Sequence, residues 1–271
     1  MPSTSLRRVI VPGLFIVAAA FIPTKAKAQD KYKDDRNADI DARGATSARI
    51  DAAAGSLRIE GRPGISSVKV RGIARSSRRD DLDDIKLIAE RRGSEVFIKV
   101  DIPDENREGW RLFNGNLQAM ALDLVIEVPV TLALNVDDGS GEVEIINTGS
   151  VELEDGSGNV EIRGTHGNVR VSDGSGNVII DGIEGNVRVS DGSGEIRGRN
   201  ITGDFTVDED GSGNIDVSDV GGTMRVDDDG SGNIDVDRVA GDFVVNSDGS
   251  GSIRYDTVKG RIDIPRTKRR G

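Results

Sequence analysis

Asp-Gly-Ser-Gly occurs seven times in this 271-residue chain, beginning at Asp138, Asp155, Asp173, Asp191, Asp210, Asp229 and Asp248. Successive start positions differ by 17, 18, 18, 19, 19 and 19. So steady a period marks a chain of stacked units, each burying its apolar face against its neighbours. It argues against a globule with a single centre.

Each repeat divides again. Glycine returns twice per repeat, from Gly141, Gly149, Gly158 and Gly167 onward to Gly260, and a polar residue and an apolar-polar-apolar triplet usually follow it. Val160 and Ile162, Val169 and Val171, Val187 and Val189, Ile215 and Val217, and Ile234 and Val236 show the pattern. Alternation with period 2 puts both apolar side chains on one face, as a half-buried strand requires. Each repeat therefore predicts two short strands and two turns. One turn is Asp-Gly-Ser-Gly. The other carries an apolar residue two positions before its glycine, as at Ile183, Ile201, Val220, Val239 and Val258. An antiparallel meander and a β-solenoid both satisfy this spacing. Asn159, Asn177, Asn214 and Asn233 share one position in the repeat, and like-on-like Asn stacking favours parallel coils. The fold class expected is all-β, a β-solenoid of 18–19-residue coils. Seven coils at 4.7–4.9 Å make a rod roughly 33 Å long.

The rest of the chain divides by composition. Residues 1–28 read as a signal peptide: Arg7 and Arg8, an apolar run over 9–22, then Ala26-Lys27-Ala28 before the expected cut at Gln29. That run is short for a membrane span of roughly 20 residues, and no cysteine follows it to carry a lipid. Residues 29–46 are charged and without period, and predict a flexible leader. Residues 47–136 alternate as strands, and predict a β-rich region continuous with the solenoid at 137–264. A hairpin is expected there, pairing 85–89 with 96–102 across Arg91-Arg92-Gly93-Ser94. The stretch 104–116 interrupts the pattern, and its Trp110 and Phe113 are expected to cover an open coil edge. Residues 265–271 form a basic tail.

Losing the signal removes four basic and no acidic residues, which takes the net charge from -11 to -15. So acidic a chain excludes nucleic acid as a partner. No cysteine is present, so burial and backbone pairing alone hold the fold. Aromatic residues make up 3%, too few to line a sugar groove with stacking rings. No transmembrane segment is expected in the mature chain, which is placed in the periplasm or at the cell surface.

Leu122 to Pro129, a strand ending in Val-Pro, followed by repeated Gly-x-Val-x-Val units, resembles the bacterial "putative adhesin" domains of unknown function, relatives of the head-GIN family. The resemblance spans about residues 47–264. It implies an exported or envelope-associated β-solenoid, and it brings no catalytic residues with it.

The Asp-Gly-Ser-Gly turns are read first as corners. Asp accepts a hydrogen bond from the N–H two residues on, and glycine supplies positive φ. A column of carboxylates and hydroxyls also invites Ca²⁺, which takes six to eight oxygens. The last three intervals carry one added residue just before the turn. It makes the stretch from Asp208 to Asp219 resemble an EF-hand loop, with acids at 1 and 3, Ser at 5, Gly at 6 and Asp at 9 and 12. The copy from Asp227 has Arg238 at the twelfth position, and the copy from Asn246 departs at both ends. Strand alternation flanks all three copies where an EF-hand needs helices. The calcium alternative is therefore a metal-loaded solenoid corner, with Asp208, Asp210, Ser212, Asp227 and Asp229 as its candidate ligands.

Catalysis finds no footing. His166 is the only histidine, at a turn position occupied elsewhere by Glu184, Thr202, Gly221, Ala240 and Lys259, so it is expected to face solvent. Gly-Ser-Gly lacks the following helix and Lys of a phosphate loop. No catalytic residue and no cofactor-binding residue is assigned. The function expected is a non-enzymatic interaction or structural module that meets an envelope or cell-surface component.

Overall fold

The computed structural model describes residues 31–103 and 120–265. The signal-peptide reading, Trp110, Phe113 and nearly all of the basic tail lie outside the described residues. Those described form two 11-stranded sheets and one short 3₁₀ turn, Asp80–Asp84. No helix among them is long and apolar enough to cross a membrane.

The repeats build a β-solenoid. In each coil one strand lies in one sheet, the Asp-Gly-Ser-Gly corner follows, and the next strand lies in the other sheet. Val151–Asp155 sits in parallel register on Val169–Asp173, so Val151 meets Val169, Leu153 meets Val171 and Asp155 meets Asp173. Gly158–Arg163 lies likewise beside Val178–Ile183. The meander alternative falls, because every pairing through the repeats is parallel. Inward Val, Ile and Phe form a continuous core between the sheets. Its packing compensates locally: Gly198 stands where adjacent coils carry Ile180 and Val217, and the ring of Phe205 fills the space. The added residue of the longer repeats is a bulge, which shifts the register between Val189 and Ser190.

Asn159 lies beside Asn177, whose backbone N–H and side-chain amide both donate to the Asn159 Oδ1 at 3.2 Å. The same bonds join Asn233 to Asn214 at 3.1 Å, and Glu195 interrupts the column between them. Cysteines at 159 and 177 are therefore expected to form a disulfide in the folded protein. Neighbouring strands stand about 4.8 Å apart, inside the roughly 4.4–6.8 Å that the bond spans. Mass spectrometry after mild oxidation checks this, and cysteines that stay reduced would contradict the stacking.

The N-terminal region is part of the same two sheets, but not in chain order. The strands are β1 (Tyr32–Asp41), β2 (Ser47–Asp51), β3 (Leu57–Arg62), β4 (Ser67–Ser76), β5 (Lys86–Arg92), β6 (Glu95–Asp101), β7 (Met120–Pro129), β8 (Ala133–Asp138) and β9 (Gly141–Ile146). β2 pairs in parallel with both β6 and β8, and β3 with both β7 and β9. The β2–β3 coil thus lies between β6 and β7 on one side and the β8–β9 coil on the other. Its corner, residues 52–55, reads Ala-Ala-Ala-Gly. There Ala54 bridges Ser140 and Gly55 has φ 137°, close to the 144° of Gly141. It is an eighth corner without its aspartate.

The first end of the stack is covered. β4 runs antiparallel to β7 and β1 antiparallel to β4, while β5 closes the other sheet through the expected hairpin with β6. The flexible leader expected over 29–46 is therefore corrected, since 32–41 form β1. Ile40 is buried and Ala38 half-buried on its inner face, while Lys33, Asp35 and Asp39 face out. The Arg36 guanidinium ties β1 to the 3₁₀ turn through the carbonyls of Ile85 (3.0 Å) and Leu82 (2.7 Å). Charges on an edge strand deter pairing with other chains, and they give the segment its disordered-looking composition.

Candidate functional site

The Asp-Gly-Ser-Gly aspartates point inward. In Val169-Arg170-Val171-Ser172-Asp173 the alternation that buries Val169 and Val171 carries Asp173 to the same face. Asp138, Asp155, Asp173, Asp191, Asp210 and Asp229 are all buried, the last two only 1% exposed. They form a column of carboxyls at one coil spacing. The expected Asx bond is present at three corners without an added residue: the N–H of Ser157, Ser175 and Ser193 donates to Asp155, Asp173 and Asp191 at 3.3, 3.1 and 3.0 Å. At Asp210 and Asp229, after the added residue, neither carboxyl oxygen has a hydrogen-bond partner among the described residues.

Burial without countercharge raises these pKa values. Desolvation, joined by the charge of Asp155, pushes Asp138 up to about 7. Asp210 rises to about 7 by desolvation and the charges of Asp229 and Asp191. Asp173 and Asp229 rise to about 6, chiefly by desolvation. Desolvation also raises Asp155 and Asp191 against the pull of backbone N–H groups.

The five candidate calcium ligands do not converge. Asp208 pairs with Arg188 at 2.7 Å, and Asp227 with Arg225 at 2.6 Å. Asp210 and Asp229 lie beneath the surface, whereas Ser212 is exposed. No group of three or more His, Asp or Glu side chains among the described residues is gathered as a metal would need. The donor set does not fit Ca²⁺. His166 is exposed as expected, with Nδ1 2.9 Å from Glu184 and Nε2 3.1 Å from Asn147.

A second column defines a surface. Asn168, Asn186, Asp204 and Thr223 follow the glycine of the other turn in successive coils. The N–H of each donates to the side-chain oxygen of the one before, at 2.9, 2.9 and 2.7 Å. Beside it runs the outward column Glu152, Arg170, Arg188 and Thr206. All of these but Thr223 line a groove of about 560 Å³ that follows the solenoid axis from Ser47 to Thr206. Arg170 makes no ion pair among the described residues. A polar residue at each of these positions is legible in the sequence, but the side-chain-to-backbone ladder is not.

No family model matches the chain, and no curated protein matches it. Solved structures similar to it include a "putative lipid binding protein" from Parabacteroides distasonis ATCC 8503, 18% identical, covering 88% of this chain and 98% of that one with a TM-score of 0.48. A "putative adhesin" from Bacteroides fragilis NCTC 9343 is 14% identical, covering 88% and 99% with a TM-score of 0.43. A "putative cell adhesion protein" from Clostridium sporogenes ATCC 15579 is 14% identical, covering 86% and 99% with a TM-score of 0.33.

Proposed function

We propose that this chain is an exported, non-enzymatic interaction module of the bacterial cell envelope, and that the axial groove is its contact surface. The groove's periodicity carries the reading. It offers the same polar positions at every coil step, a pattern that suits an extended polymer lying along the rod. The side-chain oxygens of Asn168 and Asn186 are taken by backbone N–H groups, so their amide NH₂ groups are left to donate. Arg170 adds a cation with no ion-pair partner among the described residues. A partner with carbonyl, hydroxyl or acidic groups at regular spacing fits this surface. Arg7, Arg8 and the apolar run after them support export.

The test is retention of the chain from residue 29 on isolated envelope fractions. Arg170→Thr with Asn186→Thr places in each column the residue it carries two coils further on, Thr206 and Thr223, so the fold should be kept. Retention is expected to fall at least about tenfold, the loss of two polar contacts of roughly 1 kcal/mol or more each. Wild-type protein that does not bind, or a variant that binds equally, would refute the reading.

A further inference from the structure

The two ends of the rod are unlike. Antiparallel strands cover the first end, but among the described residues nothing covers the other. Gly251–Val258 pairs only with Gly232–Val239, and Ile262–Asp263 only with Phe243–Val245. Core positions are open there: Tyr255 is 45% and Ile262 40% exposed, although they stand in register on the buried Val236 and Phe243. Through the stack, inward residues donate their N–H to the next coil, as Val178 does to Glu195 and Phe243 to Arg261. By that register the N–H groups of Tyr255 and Ile262 face the open end. Two sheet edges with unpaired amides are templates for strand addition.

Both edges carry the same kind of triplet. Arg254-Tyr255-Asp256 lies on one sheet and Arg261-Ile262-Asp263 on the other, each with its apolar residue inward and its charges outward. We propose that two copies of this chain join end to end through these edges, each strand running antiparallel to its own copy about a shared two-fold axis. With Tyr255 opposite the partner's Tyr255 as a hydrogen-bonded pair, Arg254 falls opposite the partner's Asp256 in a close non-hydrogen-bonded pair. With Ile262 opposite the partner's Ile262, Arg261 likewise meets the partner's Asp263. A register one pair away would set Arg254 against the partner's Arg254. Tyr255 touches Phe243, at 5.9 Å between ring centroids, and Phe243 is the register partner of Ile262. The two triplets therefore face each other across the core, and a single axis normal to both sheets serves both. Such self-complementarity is what an isologous two-fold contact requires.

The experiment is sedimentation of the chain from residue 29, which holds every described strand, at tens of micromolar. Wild type is expected to be a dimer. The variant R254D/R261D has wholly acidic edges and D256R/D263R wholly basic ones. Each alone should be monomeric, with dimerisation weakened at least about tenfold by like charges set face to face, and an equimolar mixture should restore the dimer. Circular dichroism confirms that both variants fold, as exposed positions allow. A monomeric wild type overturns the proposal, whether another segment or another molecule covers the edge. So does a dimer that neither variant disturbs, or a mixture that does not reassociate.

Discussion

Valine at Gly176 is expected to destroy the fold locally, with a loss of more than about 4 kcal/mol. Gly176 has φ 142°, and a Cβ there would overlap the carbonyl of Gly158 in the coil below. The obstacle is a backbone carbonyl met by the Cβ itself, which no rotamer change relieves. The same contact recurs at Gly158, Gly194, Gly213, Gly232 and Gly251, each against the preceding coil. A β-branched residue is excluded twice, by the conformation and by the neighbour. Gly93 is the control, because its φ of 60° is positive but its Cβ would meet nothing. Gly93→Ala is expected to cost about 1 kcal/mol. Thermal and urea melts of the two variants should differ severalfold in effect, and comparable losses would show that coil contact is not what holds the glycine.

The aspartate column is expected to invert the usual acid response. Its pKa values are raised above the ordinary carboxylate value of 3.8, so the folded chain binds more protons than the unfolded chain between about pH 4 and pH 7. Stability then falls as pH rises through that window. The exposed carboxyls work oppositely at lower pH. Arg43 draws Asp41 down to about 2, and Arg238 lowers Asp219, so their contributions vanish only below pH 4. The melting temperature should peak near pH 4–5 and decline toward pH 8. Asp210→Asn keeps the shape and removes the ionisation, and should stabilise the fold by on the order of 2–4 kcal/mol at pH 8 and little at pH 4. A melting temperature that is flat or rising from pH 5 to pH 8 would refute the column's buried, uncompensated character.

The solenoid and its corners were legible because repetition multiplies weak signals. Seven glycines at one position state a constraint that a single glycine does not. The inward aspartates were half legible: Val-x-Val-x-Asp places the carboxyl on the buried face, but Asp in a turn reads first as a solvated cap. β1 was hidden by its own edge chemistry, since the charges that keep Asp35 and Asp39 at the surface also erase the apolar alternation. The β2–β3 coil was hidden for a different reason. Its corner carries Ala52 where later coils carry Asp, so it shares geometry but no motif. The axial groove depends on side chains bonding to the backbone of the next coil, a relation one full repeat away that no local pattern displays.

The position of the β2–β3 coil gives the rod an origin. That coil is flanked on one side by β6 and β7 and on the other by β8 and β9, so neither of its faces is closed by the chain that immediately follows it. Contacts of such long separation close slowly. Beyond Ile146 each coil needs only the one before it, and growth becomes a zipper of nearest neighbours. The two halves therefore differ in what duplication can do to them. Gain or loss of one repeat after Val151 changes the rod by one step of about 4.8 Å, whereas the same event before it removes a wall of the starting unit. The length of this protein is an adjustable quantity, set against a fixed point of assembly.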